Sequence, residues 1–377
     1  MKFSSRLACI GLAASLAACS TSLPTPGNVP VAGASALQVV AQFDHQVTGV
    51  TVSRDGRIFV NFPRWTEDAP VSVAEVMKDG SLRPFPDARW NAWRNARKDE
   101  LDPRTHWVCV QSVVADRQGN IWVLDPAAPA QSHVVANGPK LVKIDAASNA
   151  ATQTVAFDET VAPQGSYLND VRFSPDGRHA FITDSGVKGA LVVVDLASGR
   201  SRRVLDGDPR TQPEKDVLVK ADGRVLRRTD GRAVEFAADG IALSVDGGTL
   251  YWQAIKGKTL YSVPTAALTD PGLSKEALSQ RVQRVGENGP ADGLLIGRDG
   301  RMYVTSPEDD ALKVRRSASE PLQTLVRDTR LRWPDTLAEG PDGAIYVTSS
   351  RIQDMNWFDP RSDARLPTTL FRVAAPR

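Results

Sequence analysis

Six times along the chain a short apolar strand runs into a tight turn and out into a second, aromatic-rich strand. The copies read TVSRDGRIFVNF, VVADRQGNIWVLD, VRFSPDGRHAFITD, IALSVDGGTLYWQA, LLIGRDGRMYVTS and LAEGPDGAIYVTS. Their turn glycines are Gly56, Gly119, Gly177, Gly247, Gly300 and Gly343, preceded by Asp in every copy except the second, where Gln118 stands. Asp-Gly is the chemistry of a tight hairpin turn. A single strand–turn–strand unit cannot bury its own apolar faces, whereas a ring of such units can.

The first five copies extend to four strands with the period-two mixture of apolar and polar residues that packed antiparallel strands show. The sixth copy is one strand short, with only TLAEG, AIYVTSS and TTLFRV after its start. The missing strand is LQVVAQF at residues 37–43. An N-terminal strand that completes the last blade closes the ring and removes its free edges. The expected fold is therefore all-β, a six-bladed β-propeller closed by an N-terminal strand, formed as one domain by residues 37–377. Two insertions interrupt the regular spacing. Pro84–His106 contains an expected short helix, and Asp208–Arg232 contains an expected extra hairpin, DVLVKADGRVLRR. Long connections on a rigid ring either cover the channel mouth or decorate the surface.

Residues 1–19, MKFSSRLACIGLAASLAAC, read as a signal segment: a basic start, an apolar run too short to span a bilayer as a helix, then small residues before Cys19. Leu16-Ala17-Ala18-Cys19 resembles a bacterial lipobox, which makes Cys19 the expected lipidation site. Residues 20–36 have the composition of a flexible tether. The chain is thus expected to be exported, as an outer-membrane lipoprotein facing the periplasm or cell surface, or secreted, touching membrane only through that anchor. The 46 basic and 44 acidic residues nearly cancel, and Lys2 and Arg6 account for the difference. Nothing in that balance draws the chain to nucleic acid. Cys109, at the entrance of an apolar strand, reads as a buried structural thiol. The expected state is a monomer.

In a propeller the first strand of each blade lines the central channel. The six strand entries are Thr48-Gly49, Gln111-Ser112, Asn169-Asp170, Asp239-Gly240, Asp292-Gly293 and Asp335-Thr336. Carboxylates and amides gathered round a narrow axis suit either a hard cation such as Ca2+ or a protonated amine. The candidate ligand-binding residues are therefore Gln111, Asn169, Asp170, Asp239, Asp292 and Asp335, with Asn169 and Asp239 the candidate metal ligands. Any one of these Asp side chains could equally cap its own strand. Arg64-Trp65 ends a strand and reads either as a contributor to the channel mouth or as a packed Trp beside a solvated Arg. Trp90, Trp93 and Trp107 read either as a sticky rim or, in preference, as the inner face of the first insertion. Asp184-Ser185-Gly186 reads as a turn. The four histidines show no metal-ligand spacing, and no catalytic residue is assigned.

The segments FVNFPRW, VSVAEV, LRPFPD, NIWVLD, FITDSG, LVVVDLASGRSRRVL, DGIALS, LYSVPT and WPDTLAEGPDGAIYVTSSRIQ, in that order, closely resemble the major royal jelly protein/Yellow family from about residue 37 to about 373. The resemblance implies a six-bladed propeller in an extracytoplasmic setting. Insect members include salivary proteins that bind biogenic amines in the channel and Yellow proteins linked to dopachrome conversion. They usually carry paired cysteines, which this chain lacks. A more distant resemblance is to gluconolactonase/regucalcin-like propellers, which hold a divalent cation with a Glu, two Asn and an Asp. Asn169 and Asp239 fall where two of those ligands belong, but the first-blade entry reads Gln46-Val47-Thr48-Gly49, without the Glu. The leading expectation is a channel that binds a small polar or cationic ligand. The alternative is a divalent-metal-dependent lactonase or a dopachrome-tautomerase-like enzyme, and a third possibility is a scaffold for an envelope partner.

Overall fold

The computed structural model describes residue 1, residues 37–318 and residues 320–374. The signal, lipidation and tether readings fall outside the described residues.

Blade one comprises β2 (Gly49–Val52), β3 (Ile58–Asn61), β4 (Val73–Val76) and β5 (Leu82–Pro84), and it follows β1 (Gln38–Phe43). Blade two is β6 (Ser112–Ala115), β7 (Asn120–Asp125), β8 (Lys140–Asp145) and β9 (Ala150–Ala156); blade three is β10 (Leu168–Phe173), β11 (His179–Asp184), β12 (Ala190–Asp195) and β13 (Ser201–Val204). A two-stranded excursion, β14 (Lys220–Ala221) and β15 (Arg224–Val225), precedes blade four: β16 (Ala238–Leu243), β17 (Thr249–Ala254), β18 (Thr259–Pro264) and β19 (Gln283–Glu287). Between the last two lie the short helices α1 (Thr265–Thr269) and α2 (Lys275–Arg281). Blade five is β20 (Leu294–Ile296), β21 (Met302–Ser306), β22 (Ala311–Arg315) and β23 (Gln323–Arg327); blade six contributes β24 (Pro334–Glu339), β25 (Ile345–Ser349) and β26 (Thr368–Val373).

The sheet of blade six runs β24-β25-β26-β1, so the N-terminal strand supplies its outer member, as expected from the count. Gln38 pairs with Arg372 and Phe43 with Thr368, antiparallel. Beyond the strand, Val47 N–H donates to Thr368 Oγ1 at 2.9 Å and Gln46 Nε2 to Ser350 O at 2.9 Å. Phe43 also packs edge-on to Phe62 of blade one, with ring centroids 5.4 Å apart. The closing strand therefore binds the last blade and the first together.

Apolar burial follows the ring. One cluster joins blades two and three through Trp122, Leu141, Leu168 and Ile182; another joins blades six and one through Phe43, Val50, Phe62 and Leu370. Equivalent clusters fill the other four interfaces. Alternate strand residues face opposite neighbours, so every blade is packed on both sides and no blade owns a core of its own. A further cluster lies over one end of the axis, where Trp65, Tyr167, Val219, Ile255, Trp333 and Ile352 come from loops of different blades.

The first insertion holds three single turns of 3-10 helix, Trp90–Ala92, Asn95–Arg97 and Pro103–Thr105, in place of the expected short helix; the first two lack a side-chain cap, and the third starts on Pro103 with Asp102 as its cap. Its buried face is Trp90, Trp93 and Trp107, the first and last with centroids 4.3 Å apart. It packs against blades one and two rather than over the axis. The buried Lys140 ammonium pins it, donating to Pro103 O at 2.9 Å and pairing with Asp125 at 2.7 Å. The second insertion does form the expected hairpin. It leaves blade three and docks on blade four, where Glu214 Oε1 accepts from Thr259 N–H at 2.9 Å. It reaches blade six, where Thr229 N–H donates to Trp357 O at 2.8 Å and Asp222 pairs with Arg332 at 3.1 Å. This segment crosses the channel mouth.

Arg64 departs from the sequence expectation. It is not solvated but 1 % exposed. Its guanidinium donates to Ala69 O, Ser72 Oγ, Trp93 O, Trp107 O and Val108 O, tying the first insertion to blade one. Five acceptors suit the donor-rich fork of arginine, and burial still lowers its pKa to about 10.

Candidate functional site

The entries are aimed at the axis by a repeated backbone irregularity. The β10–β11, β16–β17 and β24–β25 ladders each lose register, between Leu168 and Val171, Ala238 and Ile241, and Pro334 and Leu337. Asn169-Asp170, Asp239-Gly240 and Asp335-Thr336 occupy those bulges. An extra residue in a strand re-aims its neighbours, and here Asn169, Asp239 and Asp335 reach the axial cavity. Close approach of the blades demands the glycines that follow: a Cβ on Gly240 would lie 2.1 Å from Asp292 O, and one on Gly293 would lie 2.0 Å from Asp335 O.

A second set of polar residues, one strand out, stitches the entries together. Thr183 Oγ1 donates to Asp239 O at 2.6 Å, Thr348 Oγ1 to Thr48 O at 2.6 Å, and Asn61 Nδ2 to Gln111 O at 3.1 Å. Gly293 N–H donates to Thr305 Oγ1 at 2.8 Å. These residues carry a signal in the sequence, since FVNF, FITD, YVTS and YVTS place Asn or Thr at one repeat position in four of the six copies.

Of the six candidate residues, Gln111, Asn169, Asp239, Asp292 and Asp335 line one axial cavity of about 20 Å³, room for roughly one water-sized group. Trp65, Gln131, Ser185, Phe236, Ile255 and Ile352 complete its wall. No sequence signal marked the last five as site residues, because each comes from a connection whose path is not periodic. The sixth candidate, Asp170, is buried but does not line that cavity, and lies 3.7 Å from the Arg172 guanidinium. Arg172 donates to Leu294 O across the channel at 2.8 Å and lines a second cavity of about 230 Å³ at the far end. It plugs the channel between the two.

The electrostatics of the axial cavity are one-sided. Burial, then the neighbouring Asp292, Asp170 and Asp335 charges, raise Asp239 well above the usual carboxylate range. Burial, then Asp292 and Asp170, do the same to Asp335. Burial lifts Asp292 to about 7, opposed by the indole N–H of Trp333, which donates to its Oδ2 at 2.6 Å. Burial raises Asp170, opposed by Arg172. Four buried carboxylates thus share one guanidinium, and like charges so placed take up protons or a cation near neutral pH.

Donors for a metal are less well gathered. Asn169 and Asp239 do meet, Asn169 Nδ2 donating to Asp239 Oδ1 at 2.6 Å. The first blade offers only Thr48 at its entry, its hydroxyl accepting from Asn61. Among the described residues no three carboxylate, imidazole or thiol groups stand where one ion could take them. A dication such as Ca2+ takes roughly six to eight oxygen ligands, and this set does not fit one.

Gln111 is held by a short relay, Tyr167 Oη donating to its Oε1 at 2.9 Å and Trp65 Nε1 donating to Tyr167 at 2.6 Å. Asp184 closes the TDSG turn by accepting from Gly186 N–H and Tyr167 N–H, both at 2.8 Å, and so sets Ser185 in the cavity wall. Cys109 is fully buried, and burial, then the Asp125 charge, pushes its thiol up to about 12. It plays no part in the site.

The molecule is thus a six-bladed propeller whose channel carries a buried ring of carboxylates. Its sequence matches the profile of the major royal jelly protein family over residues 108–364, and the chain belongs to that family. No curated protein matches it by sequence. Among solved structures it is similar to a calcium-binding regucalcin from Agrobacterium tumefaciens, at TM-score 0.53 and 14% identity over 89% of this chain and 92% of that one. A luciferin-regenerating enzyme gives TM-score 0.53 at 12% identity, over 90% and 95%. A gluconolactonase from Xanthomonas campestris gives 0.51 at 13%, over 89% of each. At these identities the likeness is one of fold.

Proposed function

We propose that the protein binds a small polar or cationic ligand in its channel, with the cationic group seated in the axial cavity between Asn169, Asp239, Asp292 and Asp335. The observation that carries this reading is the imbalance of four buried carboxylates against Arg172 alone. A protonated amine answers that charge and donates to several carboxylates at once. The cavity admits a group of about one water's size, which suits an ammonium head and leaves the rest of the ligand outside, beyond Trp65 and Phe236. Membership of the royal jelly protein family agrees with channel binding. A metal-dependent lactonase or a tautomerase gains less support, since the donor set does not fit a dication. We further propose that the chain is exported and lipid-linked at Cys19, on its lipobox pattern alone.

Titration calorimetry with tyramine and dopamine tests the ligand reading. Binding is expected at pH 7, weakened by on the order of tenfold when Asp239→Asn and Asp335→Asn are combined, as charge-assisted contacts predict. An absence of heat with both amines, or an affinity unchanged in the double variant, would overturn it. Incorporation of labelled palmitate that survives in the wild type and disappears in Cys19→Ser tests the anchor.

A further inference from the structure

A third cavity of about 460 Å³ adjoins the axial one and shares Gln131, Ser185 and Phe236 with it. Its charge is opposite. Lys215, Arg228, Arg232 and Lys256 line it against the single carboxylate of Glu235. Two of these cations are already answered, Arg232 by Asp230 at 2.7 Å and Lys256 by Glu235 at 2.8 Å. Among the described residues no carboxylate lies within 4.0 Å of Arg228 or Lys215.

Arg228 is half buried and fixed in place. Its guanidinium lies 4.7 Å from the centre of the Trp357 ring. Its backbone N–H donates to Arg232 O at 2.7 Å and its carbonyl accepts from Gly231 N–H at 2.8 Å, so the mouth-crossing segment holds it rigidly. Burial, then the nearby Arg232 charge, disfavours its protonated form. The Asp230 charge opposes this from beyond contact distance. A stacked, oriented guanidinium with no carboxylate in contact is costly, and its planar fork is pre-organised for a carboxylate or similar oxyanion. Tyr167, Val187 and Phe236 give the same cavity an apolar side. Phe236 continues into the axial wall, so a ligand lying along it reaches both cavities.

We infer that this vestibule docks the anionic group of a small organic carboxylate on Arg228 and Lys215, with its apolar body along Phe236. Where the other end of that ligand goes rests on the amine reading above; the anion site itself rests on Arg228 and Lys215. The two charged cavities, side by side, favour a zwitterion over a simple amine.

Titration of the full chain with three probes separates the two ideas: 4-hydroxyphenylacetate (anion), tyramine (cation) and tyrosine (zwitterion). For the wild type, 4-hydroxyphenylacetate is expected to bind, more weakly as salt is raised. Combining Arg228→Gln with Lys215→Gln is expected to weaken it by about tenfold or more and to leave tyramine unchanged, with an unaltered melting temperature confirming the fold. Arg228→Lys, which keeps the charge, is expected to recover part of the loss. A failure of 4-hydroxyphenylacetate to bind the wild type, or equal binding to the double variant, overturns the anion site. Arginine-dependent binding of 4-hydroxyphenylacetate with tyramine inert upholds the anion site and removes the amine reading instead.

Discussion

The indole N–H of Trp333 donates to Asp292 Oδ2 at 2.6 Å, joining the start of blade six to the channel carboxylate of blade five. Trp333 is fully buried and takes a positive φ of 51°. A bulky residue in the left-handed region costs about 1–3 kcal/mol and persists only where its surroundings enforce it. The enforcement is visible: its carbonyl accepts from Ser350 N–H at 3.0 Å, and its ring packs in the apolar cluster over the axis. The next-but-one residue, Asp335, enters the same cavity. The WPDT sequence thus fixes two of the carboxylates.

Trp333→Phe keeps most of the apolar volume and removes the donor. Asp292 then loses the bond that favours its ionised form, and its pKa rises beyond about 7. Tyramine affinity at pH 7 is expected to fall by on the order of tenfold, given roughly 1.5–3 kcal/mol for a hydrogen bond to a charged group, and to recover as the pH is raised above 8. Calorimetry across pH 6–9 checks this. An affinity equal to that of the wild type throughout would refute the role given to the indole.

The same cluster fixes the sign of the pH dependence. A carboxyl whose folded pKa is raised holds its proton in the folded state after the unfolded chain has released it. Stability therefore falls as pH rises from the ordinary value of 3.8 toward the folded value, about 7 for Asp292. The slope is about 1.4 kcal/mol per pH unit for each such group. Glu75 acts in the opposite sense: hydrogen bonding to Arg57 lowers its pKa, so its contribution is lost only on acidification below the usual Glu range. Asp310, raised to about 6 by burial, adds to the axial slope, which makes a variant the proper control. The ligand-free protein is expected to melt at a higher temperature at pH 5 than at pH 7.5, and Asp292→Asn to narrow that gap. A wild-type melting temperature that rises over this interval would contradict the assignment.

Ring closure predicts a large effect from a small strand. Phe43 is buried between the closing strand and blade one. Phe43→Ala is expected to cost about 3–5 kcal/mol, the usual loss for a truncated buried phenylalanine, whereas Val39→Ala on the exposed side of the same strand is expected to cost under about 0.5 kcal/mol. Urea unfolding of both variants decides it. Equal midpoints would mean that the N-terminal strand adds little to the fold.

The sequence by itself determined the ring: the Asp-Gly hairpins, the alternation within each strand, the missing outer strand of blade six and the N-terminal segment that supplies it. These are local or periodic properties, and period and turn chemistry are written in consecutive residues. It also marked the polar strand entries, since Asn169, Asp239, Asp292 and Asp335 sit at one phase of the repeat. Only the tertiary structure decided how near they come, and that Asp170 lies beside Arg172 without lining their cavity, because bulges and close blade packing set those distances. It alone placed Arg64 in the interior and brought Trp65, Ser185, Phe236, Ile255 and Ile352 to the cavity. It alone carried the 208–232 segment across the mouth, where among the described residues no carboxylate lies within 4.0 Å of Arg228. These positions depend on connections with no period to read. Their paths are fixed by contacts between blades far apart in sequence, which exist only once the ring has closed.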